Sequence, residues 1–164
     1  MTLTDIIGYL PHGLIGYHPQ GAICKIDIAF AAKYGVELCN YRPVLRPMTD
    51  LVTEITDKGY NYENPFVPIM ELAKASWHEV DPTINEDGKC VFTSAGDEYY
   101  FSWIQNGLYF RTMKKDSGMF IRPAHTFFQS NLFDLLHRWH FDYRGLIEAG
   151  DAVNVHELKK DPYQ

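Results

Sequence analysis

The chain has 164 residues, a formal net charge of −6, and a composition that is 46% hydrophobic, 22% charged and 15% aromatic. This is the profile of one soluble globular domain, residues 1–164, long enough to bury its own core. The negative charge argues against general nucleic-acid binding, which gains from a basic field.

In chain order, Thr2–Asp5 and the following Ile-Ile-Gly-Tyr-Leu predict a short N-terminal helix. Thr2 or Thr4 can cap it, with Asp5 at the positive end of its dipole and Pro11 and Gly13 closing it. Leu14–Tyr17 and Ile23–Ala29 read as a strand pair around the turn His18–Gly21, since Ile23, Lys25 and Asp27 alternate with Cys24, Ile26 and Ile28. Val36–Tyr41 reads as a third strand. Arg42 and Arg46 each precede a proline, which biases both towards extended backbone; the guanidinium of either can fork onto carbonyls in such a stiff segment. Pro47 then opens a predicted helix with Leu51 and Ile55 inward and Gly59 at its end. Tyr60–Pro65 reads as a loop, and Val67–Ser76 as a second short helix with Ile69, Leu72 and Ala73 inward.

From Lys89 the pattern changes to strands: Lys89–Thr93, Glu98–Gln105 and Leu108–Met113 alternate. Asn85–Gly88 and Ser94–Asp97 read as turns, and residues 79–113 as a meander. Asn106-Gly107 predicts a type I′ hairpin turn. That turn sets Ile104 opposite Tyr109, Trp103 opposite Phe110 and Phe101 opposite Thr112. Tyr99, Phe101, Trp103 and Phe110 then share a core face, with Tyr100, Ser102, Ile104, Tyr109, Arg111 and Met113 on the other. Met119–Arg122 can add a short strand. Phe127–Gly150 holds the strongest helical period, with Phe128, Leu132, Leu135, Leu136, Trp139 and Tyr143 on one stripe and an expected end near Tyr143. Val153–Leu158 reads as a brief strand or turn, and Lys159–Gln164 as a frayed charged tail. The fold class expected is α+β: a mostly antiparallel sheet, a long C-terminal helix and two or three short helices packed on it.

Candidate chemistry is sparse. The three cysteines, Cys24, Cys39 and Cys90, form no CxxC pair and read as reduced thiols; nothing in the local sequence activates one as a nucleophile. There is no GxSxG, P-loop or GxGxxG, so no catalytic residue and no cofactor is assigned. His137 and His140, at i and i+3, can share a metal if Asp134, His125, His156 or an N-terminal histidine completes the set. Phe133, His137, His140 and Phe141 fall beside the apolar stripe and form a candidate partner-binding face, which a homodimer or another protein can cover. Tyr100, Tyr109, Arg111 and Lys114, with Lys115 and Arg122 nearby, form a candidate ligand-binding face for a nucleotide-sized anion. Asp142, Glu148 and Asp151 follow the helix and can pair with Arg144 or shape a turn. No apolar run reaches the roughly 18 residues of a membrane span, and no export signal opens the chain.

Four blocks also occur in a recognisable order: IGYLPHGL (Ile7–Leu14), RPVLRPMTDL (Arg42–Leu51), FVPIMEL (Phe66–Leu72) and LLHRWHFDYRGLIEAGDAVNV (Leu135–Val155). They resemble a family of small proteins encoded by phages and prophages of gut Bacteroidota, in which YLPxGL, RPxLRPLSDL and WHFDxxGLIExGxA recur. Trp77–Met119 matches no pattern of that family. The resemblance implies expression in the cytoplasm of an infected bacterium and carries no catalytic residues. The function expected is a non-enzymatic accessory binding protein that interferes with a host or defence factor. A binder of a nucleotide or other small anion, and a metal-dependent hydrolase built on His137 and His140, are the alternatives.

Overall fold

The computed structural model describes residues 2–34, 40–57, 62–77, 79–121 and 126–164. Most of the predicted strand Val36–Tyr41 lies outside these residues, as do Cys39, Gly59, Arg122 and His125. The fold is α+β and the chain divides into two compact units. One comprises Met1–Met48, Thr56–Glu63 and Leu136–Gln164, the other Thr49–Ile55 and Asn64–Leu135.

The second unit is the meander. Five antiparallel strands follow one another, β6 (Thr83–Ile84), β7 (Cys90–Ser94), β8 (Asp97–Ile104), β9 (Tyr109–Lys114) and β10 (Phe120–Ile121), each paired with the next. Cys90, Phe92, Tyr99, Phe101, Phe110 and Thr112 are buried along one face, as the alternation predicts. Ile69, Leu72 and Ala73 of the helix Pro68–Ser76 are buried too. Trp77 stacks on Tyr99 at 5.6 Å and its indole N–H donates to Thr112 Oγ1 at 3.0 Å, so a polar atom on the core face is satisfied. The register is the expected one, Phe101 opposite Thr112 and Trp103 opposite Phe110.

The turn that sets this register is different. Gln105–Gly107 form a 3-10 turn and Leu108 takes φ 50, a four-residue loop rather than a type I′ turn. Gly107 is needed there for close approach: a Cβ on it would lie 2.3 Å from the Tyr109 ring. The two consecutive positive φ values of a type I′ turn occur instead at Ala95 (51) and Gly96 (85).

The first unit is built from distant stretches. β1 (Leu14–Tyr17) pairs antiparallel with β2 (Ile23–Ile26) and with β3 (Arg42–Leu45), and β11 (Val153–Asn154) joins β3 in parallel. The sheet order is β11-β3-β1-β2. Val44, Val153, Val155 and Tyr163 form one buried cluster, with Ile15, Tyr17 and Leu158 against it. Ile6, Tyr9, Leu14, Ile26, Leu45, Leu136, Trp139 and Phe141 are also buried.

Several expectations are corrected here. The second strand stops at Ile26 because Asp27 caps a helix, Ile28–Tyr34, its Oδ1 accepting from the Phe30 N–H at 2.8 Å. The segment after Pro47 is a five-residue 3-10 turn, Met48–Val52, and Ile55 lies in a strand, Ile55–Asp57. Tyr62–Phe66 (β5) is a strand paired with that one (β4, Ile55–Asp57), not a loop. Lys159–Gln164 is not frayed, since Tyr163 is buried.

The C-terminal helix, Thr126–Arg138, is 13 residues long and ends five residues before Tyr143. It closes in a Schellman motif. The His140 N–H bonds the His137 carbonyl at 3.2 Å, and the Phe141 N–H bonds the Leu136 carbonyl at 2.9 Å. His140 takes the left-handed conformation, φ 60, where glycine is usual. The apolar contact that accompanies such a cap explains why Leu136 and Phe141 are both fully buried.

Candidate functional site: a cleft over a buried histidine

The cap places the chain beside Arg46. The Arg46 N–H donates to the His140 carbonyl and the Asp142 N–H donates to the Arg46 carbonyl, both at 2.8 Å. A parallel bridge between Arg46 and Phe141 results. The proline on each side of Val44-Leu45-Arg46 keeps this backbone extended.

Arg46 is 1% exposed. Its Nη1 donates to Asp161 Oδ2 at 2.5 Å, its Nη2 lies 3.9 Å from Asp57 Oδ2, and its guanidinium sits 5.5 Å from the centre of the Tyr163 ring. Burying a guanidinium is tolerable only when it is paired and bonded in this way. The expectation of an Arg46 fork onto carbonyls holds for one contact, Nη2 to the Thr56 carbonyl at 3.5 Å. The carboxylates are the stronger partners.

Tyr163 joins the cluster. Its hydroxyl donates to the Val44 carbonyl at 2.6 Å and accepts from the Ile15 N–H at 3.2 Å. Burial raises its phenol well above the ordinary range. On its ring lies the His140 imidazole, centroids 3.9 Å apart and planes 9° from parallel. His140 is 2% exposed; no side chain bonds its ring nitrogens, and the His12 backbone lies within bonding reach of the ring. Burial, reinforced by Arg46 and His12 nearby, pushes the imidazole pKa down to about 3, so the ring is neutral at physiological pH. A neutral imidazole holds one N–H donor and one lone-pair acceptor.

His140 and Tyr163 line an open cleft of about 560 Å³, together with Pro11-His12-Gly13, Ile15, Lys25, Asp57, Pro162 and Gln164. That is a size at which small-ligand sites are found. Gly13 takes φ 76, and a Cβ there would also sit 3.3 Å from the Lys25 stem. The glycine thus lets the turn close and leaves the lysine lying along it.

Of the partner-face residues, Phe141 is fully buried and its carbonyl accepts from the Tyr9 hydroxyl at 2.8 Å; His140 is buried as described. Both are covered by their own chain, because the helix ends before them and the cap turns them inward. Phe133 is half-buried and edge-on to Trp103 at 6.0 Å. His137 is half-buried, bonds the Tyr143 hydroxyl through Nε2 at 2.9 Å and lies edge-on to Tyr9. Its ring fills the space over Gly8, where a Cβ would be 2.5 Å away. The i,i+3 geometry expected of His137 and His140 is lost with the helix end. Among the described residues no group of three His, Cys, Asp or Glu side chains is placed to hold a metal.

On the meander, Tyr100, Tyr109, Arg111 and Lys114 do share the second face and are all half-buried. Lys114 bonds Asp97 at 2.6 Å and Lys115 bonds Glu98 at 2.5 Å, and each carboxylate holds its ammonium pKa up. Lys89 lies 5.5 Å from the centre of the Tyr100 ring. The basic run is therefore interleaved with acids, which weakens its pull on an anion.

Burial raises the thiol of Cys24 and pushes that of Cys90 up to about 12, so neither is a ready thiolate. Asp142 shapes the turn after the helix, accepting from the N–H groups of Leu146 and Ile147 at 2.9 and 2.7 Å. Among the described residues no helix is long and apolar enough to cross a membrane.

Sequence reading missed Asp57, Asp161 and Tyr163. The one available signal was an aromatic residue inside an otherwise charged tail. Comparison with protein-family models, curated proteins and solved structures found no match to this chain.

Proposed function

We propose that the chain is a non-enzymatic binding protein that takes a small polar ligand in the cleft over His140. One observation carries this reading: a buried, neutral imidazole that no side chain bonds, with at most one ring nitrogen met by the His12 backbone, forms part of the cleft wall. Leaving a buried polar atom unbonded costs about 1–3 kcal/mol. A non-glycine residue at the left-handed cap position costs about 1 kcal/mol more than glycine. The chain carries both penalties at one residue, and a ligand that bonds the ring removes the first. The block resemblance adds a setting, an accessory protein of a phage or prophage acting in the bacterial cytoplasm.

A host-protein partner held by Phe133, His137, His140 and Phe141 has less support, because the last two are already covered and need no second copy. The anion reading of the Tyr100–Lys114 face is weakened by its ion pairs.

The test is native mass spectrometry of the protein purified from phage-infected bacteria, alongside His140→Phe. Phenylalanine keeps the stack on Tyr163 and removes both nitrogens. The expected result is a small-molecule adduct on the natural chain that the variant lacks. Bare protein in both samples overturns the reading.

A further inference from the structure

The cleft is lined by side chains of both signs. Asp57, 2% exposed, lines it with His140, and behind them Arg46 lies 3.9 Å from Asp57 and bonds Asp161. Lys25 lines it too, exposed and lying along Gly13. A wall with one carboxylate and one ammonium suits neither a plain anion nor a plain cation. An anion would meet the Asp57 carboxylate, and a cation would meet the lysine.

We infer that the cleft binds a zwitterion of the amino-acid type, its ammonium directed to Asp57 and His140 and its carboxylate to Lys25. This rests on the ligand-cleft reading above and deepens it. The neutral His140 ring contributes a lone pair that an ammonium N–H can bond, which a protonated histidine could not. The volume of about 560 Å³ leaves room for a side chain or a second residue, so free amino acids and dipeptides share the required chemistry.

Calorimetric titration of the full chain with a panel of free L-amino acids, dipeptides, and the matching amines and carboxylic acids tests this. At least one zwitterion is expected to bind. Its decarboxylated amine and deaminated acid are each expected to bind about tenfold more weakly or worse. Lys25→Gln, at an exposed site that leaves the fold alone, is expected to weaken the zwitterion about tenfold and leave the amine unchanged. Asp57→Asn is expected to weaken zwitterion and amine alike. If that variant does not fold, Lys25→Gln and the truncated ligands decide.

Zwitterion binding that Lys25→Gln leaves intact overturns the inference, as does an amine or acid that binds as tightly as the zwitterion. A His140-dependent adduct of another class, with no zwitterion bound, overturns this inference and leaves the ligand-cleft reading standing. An empty cleft in both experiments removes both.

Discussion

The meander of Thr83–Ile121 and the sheet that carries Arg46 bury side chains by different routes. In the meander every strand pairs with its sequence neighbour, the core face is aromatic and aliphatic, and its polar atom, Thr112 Oγ1, is met by Trp77. In the other unit, β3 pairs with β1 and with β11, more than a hundred residues later, and the interior holds Arg46, Asp57 and His140. The first arrangement is what hydrophobic alternation and short loops produce. The second retains buried charge and a buried neutral imidazole, which cost stability unless they are paired and bonded. Alternation and short loops account for the first unit's interior and leave the second's unexplained.

Four measurements press on that difference. The largest effect is expected from Arg46→Ala, which leaves Asp57 and Asp161 without their guanidinium. Removing one partner of a buried ion pair costs about 3–5 kcal/mol, and urea unfolding should show it. Replacement by methionine is expected to recover part of the loss.

Next is acid sensitivity. Unfolded His140 takes up a proton near pH 6.5, whereas in the folded chain it does so only near 3. Between these values the unfolded state binds more protons, so stability falls as pH falls, by at most about 1.4 kcal/mol per pH unit. His140→Phe removes this contribution. The stability difference between variant and natural chain should therefore shift in the variant's favour as pH drops from 6.5 towards 4. A constant difference across that range would rule out a neutral buried His140.

Tyr163→Phe comes third. It keeps the ring stack but loses the hydroxyl bonds to Val44 and Ile15, for an expected loss of about 1–2 kcal/mol in thermal unfolding. A frayed tail would give no change.

The smallest effect belongs to the meander. Ala95→Asn, in the first positive-φ position of a type I′ turn, is expected to stabilise by a few tenths to about 1 kcal/mol. The same assay on Asn106→Ala should show little gain or loss, since the type I′ turn is not there.

The pattern of success in reading the sequence follows the same division. The strands, the register at Phe101 and Thr112, and the core face of Tyr99 and Phe110 were legible because each depends on neighbours a few residues away. The extended backbone at Arg42 was legible from Pro43, but the strand Arg42–Leu45 itself was not, since the third strand was expected at Val36–Tyr41. The turn at Asn106 was misread, because the Tyr109 ring needs the space at Gly107 more than the backbone needs positive φ there. The helix end was misread because His140 occupies a position that propensity gives to glycine. The site itself could not be read: Arg46, Asp57, His140 and Tyr163 meet across more than a hundred residues, and no periodicity reports such a meeting.

The parallel pairing of Val153–Asn154 with Val44–Leu45 has a consequence for biosynthesis. As the chain leaves the ribosome, the hairpin Leu14–Ile26 and the strand Arg42–Leu45 emerge early, yet one edge of their sheet waits for residues 153 and 154. The meander emerges between them with all its partners at hand, and domains generally fold in the order they appear. During that interval Val44 and Leu45 stand uncovered, while Arg46 already has Asp57 but not Asp161. A nascent chain stalled once residue 135 has cleared the exit tunnel, with residues 153 and 154 still inside it, should therefore carry a protease-resistant meander and a protease-sensitive amino-terminal segment.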